Sequence, residues 1–496
     1  MSRLSNNKFS EQTVLFISIV KWVLIATLVG VIVGFTTAGF VKLLDLSIAN
    51  ASKYWYWLFT IPLSLFITTI IRKYVFPKDD IETTNQVIGN IHHSKSISWK
   101  SGLKAFFLPI ITIAGGGSAG KEAPCADVGA SAGSILSKWF KFNDSDRRKI
   151  MICGVSAGFA SVFGTPIAGA IFGVEVLFVG GLLYEVLLPS FIAGIVAYQV
   201  AASLGVVSFT HYINFTPVFN HSFLLLVVAA GIFFGLISFL TVETFKRIQQ
   251  VSNSIKLNES IKALAAGTVI AIIIYIFSAD YMGLGLNTID FVLAGGVIVW
   301  YAFIIKLIVT AITLNFGGSG GTVTPTFFIG ATAGSLFAVI FHADPATFAA
   351  IGFVAVLAGV ANTPIAASIL AIEVFGPQVA PYAAVVCVIS FLMTGHRSLY
   401  SNQVLSIQKS SSLKAIQGQK LGETKTKIIV RKKGVLKYAL RVRKRRKKLE
   451  KKYEDLLKKS RTKLTAAGLI KGSNEKHPKI DEDNKERKFS QKLIKK

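Results

Sequence analysis

Lys121 and Glu122 stand side by side inside a long apolar stretch, after Gly115-Gly116-Gly117-Ser118-Ala119-Gly120 and just before Pro124. An ionisable residue in membrane-like sequence is costly to bury and marks a working site. A carboxyl group there bears a charge when ionised and loses it when protonated, so it can take up and release a proton within the membrane part. Glycines let backbone approach a ligand closely, and proline suits the first turn of a helix. The stretch predicts a broken helix, with one segment ending near Ala114 and the next starting near Pro124. A helix start directs free N–H groups and a positive dipole end at whatever lies in front. Within a bilayer such a break is tolerated only against protein or a water-filled cavity, where transporters build their ion sites.

Two plainer readings compete. One is a simple helix–helix turn. The other is a phosphate loop, since Gly115-x-x-x-x-Gly120-Lys121 fits that pattern until Glu122 replaces the required Ser or Thr. No strand is predicted before it, so a nucleotide-hydrolysing membrane enzyme using Gly115–Lys121 is the remote alternative.

The elements that must position these residues are apolar. Of 496 residues, 52% are hydrophobic, and the mean hydropathy is +0.55. Repeated apolar runs predict a polytopic, all-α membrane protein. The first run, Thr13–Leu44, is too long for a signal-peptide core. Arg72–Ser101 reads as a polar loop holding one short helix, Thr84–His92. Asn143–Lys149 reads as a charged turn, and Ile289–Leu314 as one apolar segment. Three cysteines without a spacing motif and seven histidines without ligand spacing predict neither disulfide framework nor metal site. No cofactor is expected, and no enzyme activity.

The charge is lopsided. The chain carries +28 overall, and residues 401–496 hold 31 Lys/Arg against 9 Asp/Glu, or +22. The excess predicts a cytoplasmic tail over 404–496. Arg441–Lys452 suits anionic lipid headgroups. Nucleic-acid contact and a solvated, partly disordered tail are the other readings.

An internal repeat organises the rest. Phe163–Val176 and Ala361–Val374 are identical at seven of fourteen positions, sharing Thr-Pro-Ile-Ala and Glu-Val. Each follows a glycine-rich break ending in proline, at Pro124 and at Pro325. Matched broken helices in two halves predict a transporter with its site between them.

These residues resemble the CLC family of chloride channels and proton-coupled chloride transporters, over roughly Thr13–Gln403. Gly120-Lys121-Glu122-Ala123-Pro124 is similar to the family's G-[KR]-E-G-P motif, which carries the gating glutamate. Gly320-Gly321-Thr322-Val323-Thr324-Pro325 is similar to G-x-F-x-P, whose backbone amides coordinate the anion. Tyr400 follows the last apolar run, where the family places an anion-binding tyrosine. Read alone, it is equally an interfacial tyrosine.

The resemblance implies two inverted-topology repeats, over roughly 13–205 and 221–403 after a polar start at 1–12, and a homodimer with one pore per subunit. It implies Glu122 as gate. The anion-binding set is Tyr400, Thr322, Val323, Lys121 and Ala123, with Thr83 or Thr84. The paired CBS domains that some relatives carry after the membrane part are not expected in the tail.

Three departures stand out. The family's G-S-G-x-P motif has no good counterpart: Glu82 falls at its serine, and a small shift places Thr83 or Thr84 there. Ala123 replaces a glycine. Val176 occupies the position at which exchangers often carry an inner proton-transfer glutamate. Val176 favours passive chloride conduction, with proton–chloride antiport as the alternative. Tyr400 favours chloride over the fluoride-selective branch. Glu175 and Glu373 read as structural groups, paired with backbone or hydroxyl groups in the bundle.

Overall fold

A computed structural model describes residues 8–76, 83–211, 221–429 and 448. Sixteen α-helices lie among them, in two matching sets of eight. The first set is α1 (Lys8–Ala51), α2 (Thr60–Tyr74), α3 (Thr84–His92) and α4 (Trp99–Ala114), then α5 (Glu122–Trp139), α6 (Asp144–Phe163), α7 (Pro166–Glu175) and α8 (Tyr184–Ser203). The second is α9 (His221–Ser254), α10 (Glu259–Phe277), α11 (Leu286–Leu293) and α12 (Ala302–Asn315), then α13 (Val323–Phe341), α14 (Pro345–Ala361), α15 (Pro364–Phe375) and α16 (Ala380–Thr394). Six helical segments are long and apolar enough to cross a membrane. Five other apolar helices, α7, α12, α14, α15 and α16, are shorter, and their ends must be covered by protein or water within a bilayer.

Local chemistry explains many of the boundaries. Asn143 caps α6 by accepting the Asp146 N–H at 2.8 Å. The charged stretch 143–149, expected as a turn, is therefore the cap and first turns of a helix, with Asp144 and Asp146 at its positive end. Asp344 caps α14 in the same way, ahead of Pro345. The single segment expected over 289–314 is two helices, because Gly295, at φ 93°, breaks the chain between α11 and α12. No strand precedes the Gly115 loop: α4 runs into it, so the context a phosphate loop needs is missing.

The repeats pack by close backbone approach. A Cβ on Gly129 would lie 2.1 Å from the Gly154 carbonyl oxygen, and one on Gly330 would lie 2.2 Å from that of Gly352. These two contacts bring α5 against α6, and α13 against α14, as small residues do between membrane helices.

The halves also exchange caps. At the start of α15, Glu175 accepts the N–H groups of Ile365 at 3.1 Å and Ala366 at 2.7 Å. Glu373 accepts those of Ile167 at 3.0 Å and Ala168 at 2.8 Å, at the start of α7. The neighbouring hydroxyls of Thr165 and Thr363 find no partner among the described residues. Each carboxylate thus closes the helix of the opposite half, which supports the structural reading of both.

The chain after α16 returns to the membrane part. Strand β1 (Phe178–Val179) pairs in parallel with β2 (Val404–Leu405). Strand β3 (Leu413–Lys414) pairs antiparallel with β4 (Lys427–Ile428). The Gln403 amide donates to the carbonyls of Val176 at 2.8 Å and Ala361 at 2.7 Å, one from each half. The compact unit accordingly extends to Ile428, past the boundary expected at 403. A second unit, Ile429–Lys496, is almost wholly outside the described residues. The basic run Arg441–Lys452, apart from 448, lies outside them too, as does Glu82.

Candidate functional site

Glu122 opens α5, with Pro124 as its third residue rather than its first. Its side chain is 1% exposed. The preceding loop crosses to the second half, where Gly120 N–H donates to Gly321 O at 2.7 Å and Gly321 N–H donates to Gly120 O at 2.8 Å. This two-bond bridge sets the starts of α5 and α13 beside each other.

The Glu122 carboxylate accepts from the Thr324 N–H at 3.1 Å. It also accepts from the Thr324 hydroxyl, with both oxygens 2.6 Å from Oγ1. A negative charge at this position meets free donors and the positive end of a helix dipole. Those donors would serve a dehydrated anion equally well.

Two cavities adjoin this contact and share no lining residue. The first, about 270 Å³, is lined by Lys121, Glu122 and Thr324, with Lys42, Asp45 and aromatic rings including Phe163. The second, about 300 Å³, is lined by Thr83, Thr84, Ala123, Thr322 and Tyr400, with the backbone of Gly318–Gly321. Arg72 and Lys246 also line it, and no carboxylate among the described residues does. Its character suits an anion: two cations and an array of hydroxyls and amides.

Tyr400 is 5% exposed, with its hydroxyl 3.5 Å from Thr322 Oγ1. It is a buried lining residue, not an interfacial one. Asn85 holds its segment in place. The Asn85 Nδ2 group donates to Ser401 Oγ at 2.9 Å, and its Oδ1 accepts the Asn402 N–H at 2.8 Å. Thr83 caps α3 in a reciprocal box with Gln86.

Val323 is buried and lines neither cavity, although its chain neighbours Thr322 and Thr324 line the second and the first. Val176 is fully buried, packed beneath the returning chain and away from both cavities.

The structure thus gathers Tyr400, Thr322, Ala123, Thr83 and Thr84 in one cavity, and Lys121 with Glu122 in the other. Three residues escaped the sequence reading. Thr324 is the partner of Glu122, signalled only by a hydroxyl before the helix-starting proline. Asn85 shows its role only in three dimensions. Asp127, an acid within a membrane-like helix, carried the same signal that picked out Glu122.

The model of the voltage-gated chloride channel family matches residues 63–395. The chain belongs to the CLC family. As a member it is a multi-pass membrane protein that transports anions. It is 34% identical, over 416 residues, to a chloride/fluoride channel protein of Pseudomonas syringae pv. tomato; the match covers 81% of this chain and 90% of the relative. Among solved structures, it resembles a CLC-type fluoride/proton antiporter with a TM-score of 0.73 at 24% identity, covering 77% of this chain and 98% of that one. It also resembles a slow cyanobacterial chloride/proton antiporter, with a TM-score of 0.67 at 20% identity over 75% and 94% of the two chains. These likenesses speak for the CLC fold of two inverted repeats. Two halves that cap each other reciprocally, Glu175 on α15 and Glu373 on α7, agree with it.

Proposed function

We propose that the protein moves a small halide, chloride or a similar monovalent anion, between the two cavities, with Glu122 as the gate. The observation that carries this reading is the Glu122 carboxylate seated on Thr324. It fills, with its own charge, the donors a passing anion needs. Protonation removes that charge and lets the side chain leave. Tyr400, Thr322 and one or both of Thr83 and Thr84 then receive the anion in the second cavity, and Lys121 draws it toward the first.

Passive conduction is the first reading of mode. Val176 offers no inner carboxylate, and Glu175 and Glu373 are each committed to two backbone N–H groups. Proton–halide exchange is the second reading, because every release of Glu122 requires a proton and because similar proteins are named as antiporters. Fluoride enters beside chloride as a candidate anion because two of the similar proteins are named for it.

The protein acts as a transporter and not an enzyme. The CLC resemblance supports a homodimer, and the Lys/Arg excess supports a tail in the cytoplasm, near anionic lipid.

Glu122→Gln mimics the protonated side chain in size and charge. In proteoliposomes this variant is expected to carry halide with most of its pH response gone. Wild-type flux is expected to rise with acid on the gate side. Parallel recording of proton movement separates the modes. Uphill proton movement at a fixed ratio to chloride or fluoride, abolished in Glu122→Gln, would establish exchange. Wild-type flux that ignores pH, with a variant that behaves identically, would remove Glu122 from the mechanism.

A further inference from the structure

Asp127 lies five residues after Glu122 on α5, one turn beyond Ala123, which lines the second cavity. Its Oδ2 accepts the hydroxyl of Thr84 at 3.0 Å. Its Oδ1 is shut off from solvent and has no hydrogen-bond partner among the described residues. A carboxylate oxygen buried without a donor is expensive, and a proton on the carboxyl group removes the expense. No ion pair among the described residues includes Asp127.

The other ionisable groups around it are few. Glu122 and Cys125 share its helix, and Tyr400 lies within its field. Packed against α5, α4 brings the buried Lys104. On α3, the ring of His92 is engaged with Leu177 O. At the level of the Gly129–Gly154 contact, α6 brings only the thiol of Cys153. The ionisable groups of α1 nearest the site, Lys42 and Asp45, line the first cavity, and α13 has none.

A hydroxyl has one hydrogen to give and two lone pairs. An ionised Asp127 can only accept, so it takes the Thr84 hydrogen. Thr84 then turns lone pairs toward the second cavity, and these repel an anion. A protonated Asp127 can donate to Thr84 Oγ1 instead. The Thr84 hydrogen is released and becomes a donor for an anion in that cavity. The only atom gained is one proton, taken from water onto Asp127.

We propose that Asp127 is a proton-operated positioning residue that sets whether Thr84 presents a donor or lone pairs to a halide in the second cavity. The proposal rests on the assignment of that cavity to the anion path. By linkage, halide binding must draw a proton onto Asp127 by the same factor that protonation favours halide.

The test measures halide affinity of purified full-length protein by calorimetry, with chloride and with fluoride, from acid to alkaline pH. The background is Glu122→Gln, which removes the titration of the gate. In that background affinity is expected to fall about tenfold from acid to alkaline pH, within the usual range of coupling factors. Adding Asp127→Asn, whose amide donates permanently, should hold affinity at its acid value throughout. Adding Thr84→Val should hold it at the low value throughout, whereas Thr84→Ser should keep the pH dependence. An Asp127→Asn variant that keeps the full pH slope would overturn the proposal, as would a Glu122→Gln protein whose affinity does not change with pH. Absence of halide binding in every folded variant would instead strike the transport site itself, and the proposal with it.

Discussion

Removing the Glu175 carboxylate measures what holds the two halves together. In Glu175→Ala the N–H groups of Ile365 and Ala366 lose their acceptor at the start of α15. Each buried donor left unmade costs about 1–3 kcal/mol, so the pair costs roughly 2–6 kcal/mol. Glu175 borders a cavity of about 300 Å³. Water entering there recovers part of the loss, which places the expected cost near the lower end, roughly 2–3 kcal/mol. Glu175→Gln keeps one acceptor oxygen and sets an amide against the other N–H, so its cost falls between wild type and alanine. Thermal unfolding in detergent should rank the midpoints wild type, glutamine, alanine. Halide flux from the protein that remains folded should stay at the wild-type level. A Glu175→Ala protein as stable as wild type would refute the capping role. A Glu175→Gln protein that is stable but carries no halide would show that the carboxylate belongs to the transport path.

Other outcomes follow from the same geometry. Tyr400→Phe removes a donor from the second cavity, and calorimetry should show halide binding weakened about tenfold or more, given roughly 1.5–3 kcal/mol for a hydrogen bond to a charged group. A chain ending after Ile428 should keep its flux. A chain ending after Ser412 loses the Leu421 packing on Val179 and Leu405 and should melt earlier. Burial first, then Lys409 and Arg397, holds His396 below its ordinary 6.5, and its Nε2 accepts the Lys409 N–H at 3.2 Å. Its contribution is therefore full above 6.5 and is lost as pH falls through the folded-state value. Proteolysis of the segment after α16 should accelerate in acid, and His396→Gln should flatten that response.

The repeat and the broken helices were legible in the sequence because they rest on local rules. Glycine and proline punctuation placed the end of α4 at Ala114, and polarity placed α3 at Thr84–His92, where the structure has them. Glu122 was legible because charge is conspicuous among apolar residues. The split between α11 and α12 was not, since apolar residues continue across Gly295 and Gly296 and periodicity alone does not end a helix there. The pairing of Glu122 with Thr324 spans the two halves, and nothing local predicts which donor a carboxylate will find. The docking of residues 404–428 was hidden by the charge of the tail beyond them, which led the whole segment to be read as one basic cytoplasmic tail. Asp127 had the right signal, but its consequence depends on Thr84, and that contact exists only once α3 lies against α5.

The exchanged caps carry a consequence for how such a chain can be divided or built. Half of this protein, expressed alone, would hold a carboxylate with no helix to close and a helix with no carboxylate to close it. Neither defect can be repaired within that half, because Glu175 lies at the far end of the helix whose start needs a partner. A second copy in the same orientation would not repair it either. Only an upside-down copy presents each carboxylate to the other's helix start. A half-length ancestor with these residues would therefore have had to enter the membrane both ways round, and joining two genes would have made permanent a pairing that the unjoined halves already required.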